Sequence, residues 1–323
     1  MHNNDDNKEL DKQIIGLDIR ETVPPWRSSS SPPLATLEEN ASKGPYVGEY
    51  RNYNKDEDLA KLLDGKRVAL VCPSPHLIGQ KMGKIIDSYD YVIRVNQAFH
   101  MPEDMWEDYG QRTDMLMSCL NINKLWSLAR NEEFVKSLKY LICPNVSLWD
   151  IERVEDFLAA TGIPGHNVDD GYLLRLYNEV GTTCNTGLTS VVTLLNYDIE
   201  ELYVTGMTFF NMAEFGKVYF DMYHDHAVEN DDIISNKNRE PLPESLRMDI
   251  HDQISQICYF SRVVSEHYGN RLTIDDYLID NFRMAAKGVL KGVPIKQQDE
   301  LVELEMIISK KFGYTIDKRH HEE

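Results

Sequence analysis

The sequence has few positive charges for its length. Lys and Arg total 34 against 53 Asp and Glu in 323 residues, which gives a formal net charge of −19 at pH 7. Nucleic acids and anionic membrane surfaces attract proteins through basic faces, so this balance argues against both kinds of partner. Hydrophobic residues make up 42% and charged residues 27%, which is typical of a globular protein rather than a disordered chain.

Long apolar runs are also missing. No stretch approaches the roughly 20 apolar residues that a membrane-spanning helix needs. Residues 1–11 are polar and acidic, unlike a secretory signal. We therefore expect a cytoplasmic protein without a transmembrane segment.

Cysteines are few, and their spacing suggests neither disulfides nor zinc. Their odd number and their position in mostly apolar runs are typical of reduced, buried thiols. No Cys-x-x-Cys pair offers a zinc site, and no Asp-x-Asp pair of the type that holds Mg²⁺ follows a clear strand, so we predict no bound metal. The five cysteines are Cys72, Cys119, Cys143, Cys184 and Cys258.

From residue 66 onward, short apolar runs alternate with helical patterns. This alternation predicts an α/β fold with a mostly parallel sheet and helices on both faces. Strands are predicted at residues 67–72 (RVALVC), 91–95 (YVIRV), 115–118, 140–143, 201–206 (ELYVTG) and 271–274. Helices are predicted at residues 76–88, 132–138, 151–160, 187–197 and 243–267.

Composition divides the chain into three parts. Residues 1–60 have weak periodicity and several Pro and Ser residues, typical of an N-terminal arm or linker with local order at most. Residues 61–275 form the predicted main domain, and residues 276–323 a C-terminal helical extension. Within the extension, residues 301–312 are amphipathic and are interpreted as a helix that packs on the core or joins subunits. A homo-oligomer is therefore one possible state of the protein.

Asparagines follow three of the predicted strands, at Asn96, Asn121 and Asn145. A carboxamide both donates and accepts hydrogen bonds, which suits ribose hydroxyls, carboxylates or the edge of a nucleobase. Any one of them alone is more simply a turn residue. Because ligands bind at the carboxyl ends of parallel strands, three asparagines at equivalent positions favour a binding site.

The segment TTCNTG at residues 182–187 leads into an apolar helical pattern. Free N–H groups and the dipole at a helix N-terminus bind phosphate or carboxylate well. The commoner alternative is an ordinary helix cap formed by Asn185 or Thr186.

Histidine and tyrosine side chains in the second half suggest acid–base chemistry. His224 and His226 lie in YHDH, and His251 precedes a long helical pattern. A neutral His is suited to act as a general base near pH 7, but two close histidines could also bind a metal, and each alone is most simply a structural residue. Tyr219 offers a hydroxyl that could stabilise a leaving phosphate, although packing is the default role in a chain with 17 tyrosines.

Residues 66–121 resemble the large sialylmotif of the eukaryotic-type sialyltransferases, glycosyltransferase family 29. Residues 181–206 are similar to the small sialylmotif, with Asn185-Thr186-Gly187 in place of the family's Ser/Thr-Gly. The elements that match the large motif are RVALV, a short turn, Gly83-x-x-Ile86-Asp87-x-x-Asp90-x-Val92-x-Arg94-x-Asn96, Asp108-x-Gly110-x-x-Thr113, and Asn121.

The second half is similar to the bacterial sialyltransferases of family 42. In that family a strand ending in Gly is followed by an aromatic pair, a Tyr, Phe-Asp and a single His at the start of a helix. The corresponding residues here are Gly206, Phe209-Phe210, Tyr219, Phe220-Asp221 and His251.

Together these resemblances imply a GT-A-like (Rossmann-like) single catalytic domain and an inverting, metal-independent transfer without a cofactor. A sialic acid, another nonulosonate or Kdo would pass from its CMP ester to a glycan or glycolipid acceptor. His251 would be the general base, Tyr219 would stabilise the departing phosphate, and His224 is a supporting candidate. The candidate contacts to the CMP-sugar are Ser74, Asn96, Asn121, Asn145, Asn185, Thr186, Gly187, Gly206 and Phe209.

The sequence departs from the family pattern at two places. The Gly/Asn/Ser turn of the family is Pro73-Ser74-Pro75 here, and the two disulfide cysteines of family 29 correspond to Val68 and Tyr197. The missing disulfide fits a reducing compartment. The altered turn favours one alternative, a non-catalytic nucleotide-binding module, and a second alternative is a metal-dependent transferase using a nucleotide-diphosphate sugar.

Overall fold

The computed structural model describes residues 55–96, 101–120, 122–144, 151–168, 170–209, 253–267 and 269–279. All of the described residues belong to one compact unit, within residues 43–323. None of the helices among these residues is both long enough and apolar enough to cross a membrane.

Short strands and helices alternate along the described residues. The strands are β1 (Arg67–Val71), β2 (Tyr91–Val95), β3 (Met115–Met117), β4 (Tyr140–Cys143), β5 (Gly165–Asn167), β6 (Glu201–Thr205) and β7 (Leu272–Ile274). The helices are α1 (Glu57–Leu63), α2 (Gly83–Ile86), α3 (Trp106–Tyr109), α4 (Ile122–Ala129), α5 (Glu132–Ser137), α6 (Ile151–Thr161), α7 (Asp170–Val180), α8 (Thr186–Leu195) and α9 (Gln253–His267). Two 3₁₀ helices, Pro75–Leu77 and Glu103–Met105, lie in the connections.

The strands form a single seven-stranded sheet in the order β5-β4-β3-β2-β1-β6-β7, and every neighbouring pair is parallel. The predicted α/β, GT-A-like (Rossmann-like) fold is confirmed. The chain fills the sheet from β1 outward to β5 and then crosses to the other side of β1 with β6. The junction between β1 and β6 is therefore the switch point of the sheet, where parallel α/β folds bind ligands.

Helices cover both faces of this sheet, as predicted. Val68 and Leu70 of β1 belong to the main hydrophobic cluster, which also contains buried residues of α8 and α9. Ala69 and Val71 point to the opposite face and belong to a second cluster that includes residues of α2 and α3. A strand buried on both faces needs an almost continuous apolar run, and this is the pattern that RVALV shows.

The predicted helix at residues 76–88 is wrong. The structure instead has the 3₁₀ helix Pro75–Leu77, an irregular stretch and the short helix α2. Gly79 and Lys81 adopt positive φ angles of 82° and 55°, which no α-helix accommodates. The Asp108 carboxylate, distant in sequence, accepts hydrogen bonds from both of their backbone N–H groups, at 2.7 and 2.9 Å.

The N-terminal edge of the main domain also needs a correction. Helix α1 spans the predicted boundary at residue 60, and its Leu59 and Leu63 are fully buried in the main cluster. At the other end, α9 covers residues 253–267 of the helix predicted at 243–267, and the remainder lies outside the described residues. The amphipathic stretch at residues 301–312 lies outside them as well.

Asp56 caps α1, and its Oδ1 accepts hydrogen bonds from the backbone N–H groups of Asp58 and Leu59, at 3.0 and 2.7 Å. Burial alone raises the pKa of this carboxyl, but hydrogen bonds from the Tyr140 hydroxyl and the Leu59 N–H, and the charge of His166, outweigh burial. The net result is a pKa below the ordinary 3.8. We expect Asp56→Ala to lower the free energy of unfolding by about 1 kcal/mol near neutral pH.

The sign of the pH dependence follows from the lowered pKa. The contribution of Asp56 is fully present above the pKa of the unfolded chain, and it is lost as the pH falls through the lower folded-state value. Urea unfolding of wild type and Asp56→Ala, measured at several pH values below 7, should show the difference shrink in acid. Glu57→Ala, in the exposed first turn of the same helix, is the control. A difference that is constant with pH would contradict the capping role.

Candidate active site

The carboxyl ends of β1 and β6 and the start of α8 meet at one point. Gly206 directly follows β6 with φ +74°, and a Cβ on it would lie 2.1 Å from the Cys72 carbonyl oxygen after β1. A Cβ on Gly187, in the first turn of α8, would lie 2.9 Å from Met207 Cε and 3.5 Å from Cys72 Sγ. The structure thus brings together the predicted donor contacts of the small motif and of the β6 loop.

The turn after β1 is fixed to the end of β6. The Ser74 N–H donates to the Gly206 carbonyl at 3.2 Å, and the buried Tyr109 hydroxyl donates to the Ser74 carbonyl. Burial raises the pKa of Tyr109, so its hydroxyl keeps its proton. The Ser74 Oγ lies 3.0 Å from Nδ1 of His76. Ser74 therefore lies at the predicted ligand edge of the sheet, and its N–H, carbonyl and hydroxyl groups all bond to other residues of the protein.

Sequence reasoning missed two residues beside this turn, His76 and Asp275. The His76 Nε2 lies 3.1 Å from Asp275 Oδ2, and the His76 ring stacks on Tyr277 with centroids 4.2 Å apart. The same Oδ2 accepts hydrogen bonds from Thr205 Oγ1 at 2.6 Å and from the Gly206 N–H at 3.2 Å. Asp275 directly follows β7, so the rule that selected the strand-end asparagines would also have selected it.

Asn185 caps α8, which is the ordinary role that the sequence left open. Its Oδ1 accepts from the Leu188 N–H at 2.8 Å. Its own backbone N–H donates to Gln256 Oε1 at 2.8 Å, and its Nδ2 to Gln253 Oε1 at 3.4 Å. Both glutamines lie on α9 and are fully buried, so α9 fixes the start of α8. The N–H groups in the first turn of α8 have no intrahelical acceptor, which makes this end suitable for an anion.

Asn96 follows β2 in a left-handed conformation with φ +55°, which Asn tolerates better than most residues. Its Oδ1 accepts from the Cys119 N–H at 3.2 Å and from Ser118 Oγ at 3.4 Å, and so joins the ends of β2 and β3. No described residue accepts a hydrogen bond from its Nδ2 group. This partly exposed amide is a donor at the edge where the ligand is predicted.

Phe209 was predicted as a donor contact, and the structure places it in the core. Its side chain is only 2% exposed and packs against Phe260 of α9, with ring centroids 5.6 Å apart. Thr186 is also buried, and its carbonyl accepts a hydrogen bond from Ser190 Oγ at 2.6 Å. Asn121, Asn145, Tyr219, His224 and His251 lie outside the described residues, and their roles stay predictions.

Several residues of the large motif hold the backbone next to the site in place through buried hydrogen bonds and close packing. The Arg94 guanidinium is fully buried and donates to the carbonyls of Tyr109, Gly110 and Arg112 and to Thr113 Oγ1, at 2.9–3.1 Å. Burial lowers the pKa of Arg94 to about 10, so the group still carries its charge at neutral pH. These bonds hold residues 109–113 against β2.

Asp87 and two glycines complete this support. Asp87 accepts from the backbone N–H groups of Gln111 and Arg112, at 3.0 and 3.1 Å. A Cβ on Gly110 would lie 2.6 Å from Asp87 Oδ1, and one on Gly83 would lie 2.0 Å from the Trp106 carbonyl oxygen. Asp87, Gly83 and Gly110 of the motif therefore allow a close backbone approach between α2 and α3.

Across the described part of the chain, no three His, Cys, Asp or Glu side chains are grouped to hold a metal ion. All five cysteines are described, and none forms a disulfide. Val68 and Tyr197, which correspond to the disulfide cysteines of family 29, are both buried in the main cluster.

The structure is similar to that of the sialyltransferase CstII from Campylobacter jejuni in complex with cytidine-5'-monophosphate, with a TM-score of 0.44, 14% identity, and coverage of 65% of this chain and 80% of that one. A mammalian sialyltransferase has a TM-score of 0.44 and 14% identity, over 85% of this chain and 86% of that one. Curated protein sequences gave no match. Residues 49–168 match the model of glycosyltransferase family 29 (sialyltransferase), which confirms the predicted resemblance to sialyltransferases over this part of the chain.

Proposed function

We propose that the protein transfers a sialic acid, another nonulosonate or Kdo from its CMP ester to a hydroxyl of a glycan or glycolipid, with inversion and without a metal or cofactor. The observation that carries this proposal is the family 29 match over residues 49–168, which spans β1 to β5 and therefore includes the β1 side of the β1–β6 junction described above. We also propose a cytoplasmic location, which fits cysteines that form no disulfide.

In the proposed binding mode, the donor lies across the carboxyl ends of β1, β2 and β6. The donor is an anion, and the first turn of α8 offers N–H groups and the positive end of a helix dipole to its phosphate or carboxylate. The Asn96 Nδ2 group offers a further neutral donor at the same edge. Because Gly187 and Gly206 lack side chains, the end of β1, the end of β6 and the start of α8 approach closely enough to form one surface.

In the proposed reaction, the acceptor hydroxyl attacks the anomeric carbon as the bond from this carbon to the phosphate oxygen of CMP breaks. His251 accepts the proton of the hydroxyl, and the electron pair of the broken bond leaves on the phosphate. A hydrogen bond from Tyr219 would stabilise the departing CMP, and His224 is a supporting catalytic candidate. A single displacement of this kind inverts the anomeric centre.

The test is CMP release from CMP-Neu5Ac and from CMP-Kdo with EDTA present, comparing wild type with His251→Ala. Removal of a general base typically lowers the rate by about 10²–10⁴-fold. We expect wild type to release CMP from one donor despite the chelator, and His251→Ala to be slower by a factor in this range. His267→Ala, at the last residue of α9, is the control and should keep the wild-type rate.

The other outcomes separate the alternatives. Loss of wild-type activity in EDTA with recovery on adding Mg²⁺ would favour a metal-dependent transferase. CMP binding without turnover would favour a non-catalytic nucleotide-binding module. The altered turn at Ser74, whose hydroxyl bonds to the His76 ring, is the feature that favours this alternative. If CMP neither binds nor is released, the proposed function is wrong.

A further inference from the structure

The ring of His76 connects two segments that are far apart in sequence. It is only 3% exposed, and both of its nitrogens have partners: Nδ1 lies 3.0 Å from Ser74 Oγ, and Nε2 lies 3.1 Å from Asp275 Oδ2. Stacking on Tyr277, with an interplanar angle of 9°, fixes the plane of the ring. Ser74 is also buried, at 2% exposure, so this row of polar groups lies inside the protein.

Asp275 is the centre of the arrangement. Its Oδ2 accepts from Thr205 Oγ1 and the Gly206 N–H as well as from His76, and its Oδ1 accepts from the Leu278 N–H at 2.7 Å. One carboxylate thus links the turn after β1, the end of β6 and the helical turn after β7. Because a carboxylate only accepts, Nε2 carries a proton, and in the neutral ring Nδ1 then accepts the proton of the Ser74 hydroxyl.

The two segments joined in this way both border the candidate donor site. Ser74 lies on the β1 turn and Gly206 at the end of β6, and they also contact each other through the Ser74 N–H. Binding sites require their groups to be held to within about 0.5 Å, and interior hydrogen bonds supply that precision. Ser74 and Asp275 occupy both nitrogens of the buried His76 ring, so neither nitrogen is available to a ligand.

We propose that His76 and Asp275 are positioning residues that hold the β1 turn and the end of β6 at the separation that the CMP part of the donor requires. This role depends on the proposed function above and adds two residues to its site. A purely structural role is distinguishable, because it would change stability without a selective change in donor KM, whereas a positioning role changes donor KM far more than kcat. A positioning role requires the hydrogen bonds themselves.

Three substitutions of His76 separate its two bonds. His76→Asn places an amide near the position of Nδ1 and keeps a partner for Ser74, whereas His76→Gln reaches the position of Nε2 and keeps a partner for Asp275. His76→Phe keeps the stack on Tyr277 and loses both bonds. His166→Gln, on the edge strand β5, is the control for replacing a partly buried histidine outside the site.

The measurements are CMP affinity by calorimetry, donor KM and kcat by CMP release, and the unfolding temperature, all on the full chain. We expect His76→Phe to lower the unfolding temperature, because Ser74 and Asp275 each lose a hydrogen-bond partner. In the folded variant we expect weaker CMP binding and a donor KM raised by about 10-fold or more, with kcat changed far less. His76→Asn, His76→Gln and Asp275→Asn should show smaller increases in KM. His166→Gln should match wild type in both constants.

A folded His76→Phe with wild-type CMP affinity and donor KM would overturn the proposal. If that variant does not fold, His76→Asn and His76→Gln decide the question, and an unchanged KM in both would overturn it. If wild type itself neither binds CMP nor releases it, the failure belongs to the proposed function, and the positioning role fails with it.

Discussion

Gly206→Ala is expected to lower the free energy of unfolding by about 3–5 kcal/mol, from backbone strain and a forced shift of packed backbone. The added Cβ would lie 2.1 Å from the Cys72 carbonyl oxygen and 2.9 Å from the Cys72 carbonyl carbon. Both atoms are main chain, so relief requires β1 and β6 to separate at their carboxyl ends. Urea unfolding followed by circular dichroism measures the loss.

Gly269→Ala is the matched control for this substitution. Gly269 has the same φ of +74°, but a Cβ on it would have no neighbour within 4 Å. Its replacement therefore isolates the conformational strain, of about 1 kcal/mol. If Gly206→Ala lowers the free energy of unfolding no more than Gly269→Ala does, then the ends of β1 and β6 can separate freely. The close contact between Gly206 and Cys72 would then not limit which residues fit there. CMP release should fall in Gly206→Ala well below its value in the control.

Arg94→Met is expected to lower the free energy of unfolding by about 3 kcal/mol or more. Met has similar length and fits an apolar environment, but it leaves the carbonyls of Tyr109, Gly110 and Arg112 without the donor they have in wild type. Part of this loss is offset because the variant no longer buries a charge. Residues 109–113 should become more accessible to amide hydrogen exchange, which locates the effect.

Arg67→Met provides the comparison for Arg94. Arg67 is partly exposed and pairs with Glu201 at 3.0 Å, so its loss should cost no more than about 1 kcal/mol. A loss in Arg94→Met as small as that in Arg67→Met would show that the buried guanidinium is not the support of the 109–113 segment.

The central strands were predictable because strands buried on both faces consist of almost continuous apolar residues. β2 and β4 begin and end where the apolar runs YVIRV and YLIC do, since both faces of these strands are covered. β5 was missed because its sequence, Gly-His-Asn, has no apolar pattern. It is a strand because it pairs with β4 at the sheet edge.

The site was only partly predictable, because some of its contacts connect distant residues. Asn185 was recognised as a cap from its place before an apolar helix, and this is a local signal. The pairing of His76 with Asp275 joins residues 199 positions apart, and no short sequence pattern around either residue predicts this contact. Similarly, the helix predicted at residues 76–88 fails because Asp108 binds Gly79 and Lys81, a contact that periodicity does not contain.

The central place of β1 in the sheet has a consequence for how the chain can be divided. The family match ends at residue 168, yet β1 pairs on one side with β2 and on the other with β6, which comes from residues 201–205. A fragment that ends with the match would leave the N–H and C=O groups along one side of β1 open, and open strands of this kind pair with other chains. It would also lack the parts of the main cluster contributed by α7, α8 and α9. The segment that matches the family is thus smaller than the segment that completes the sheet and the main cluster.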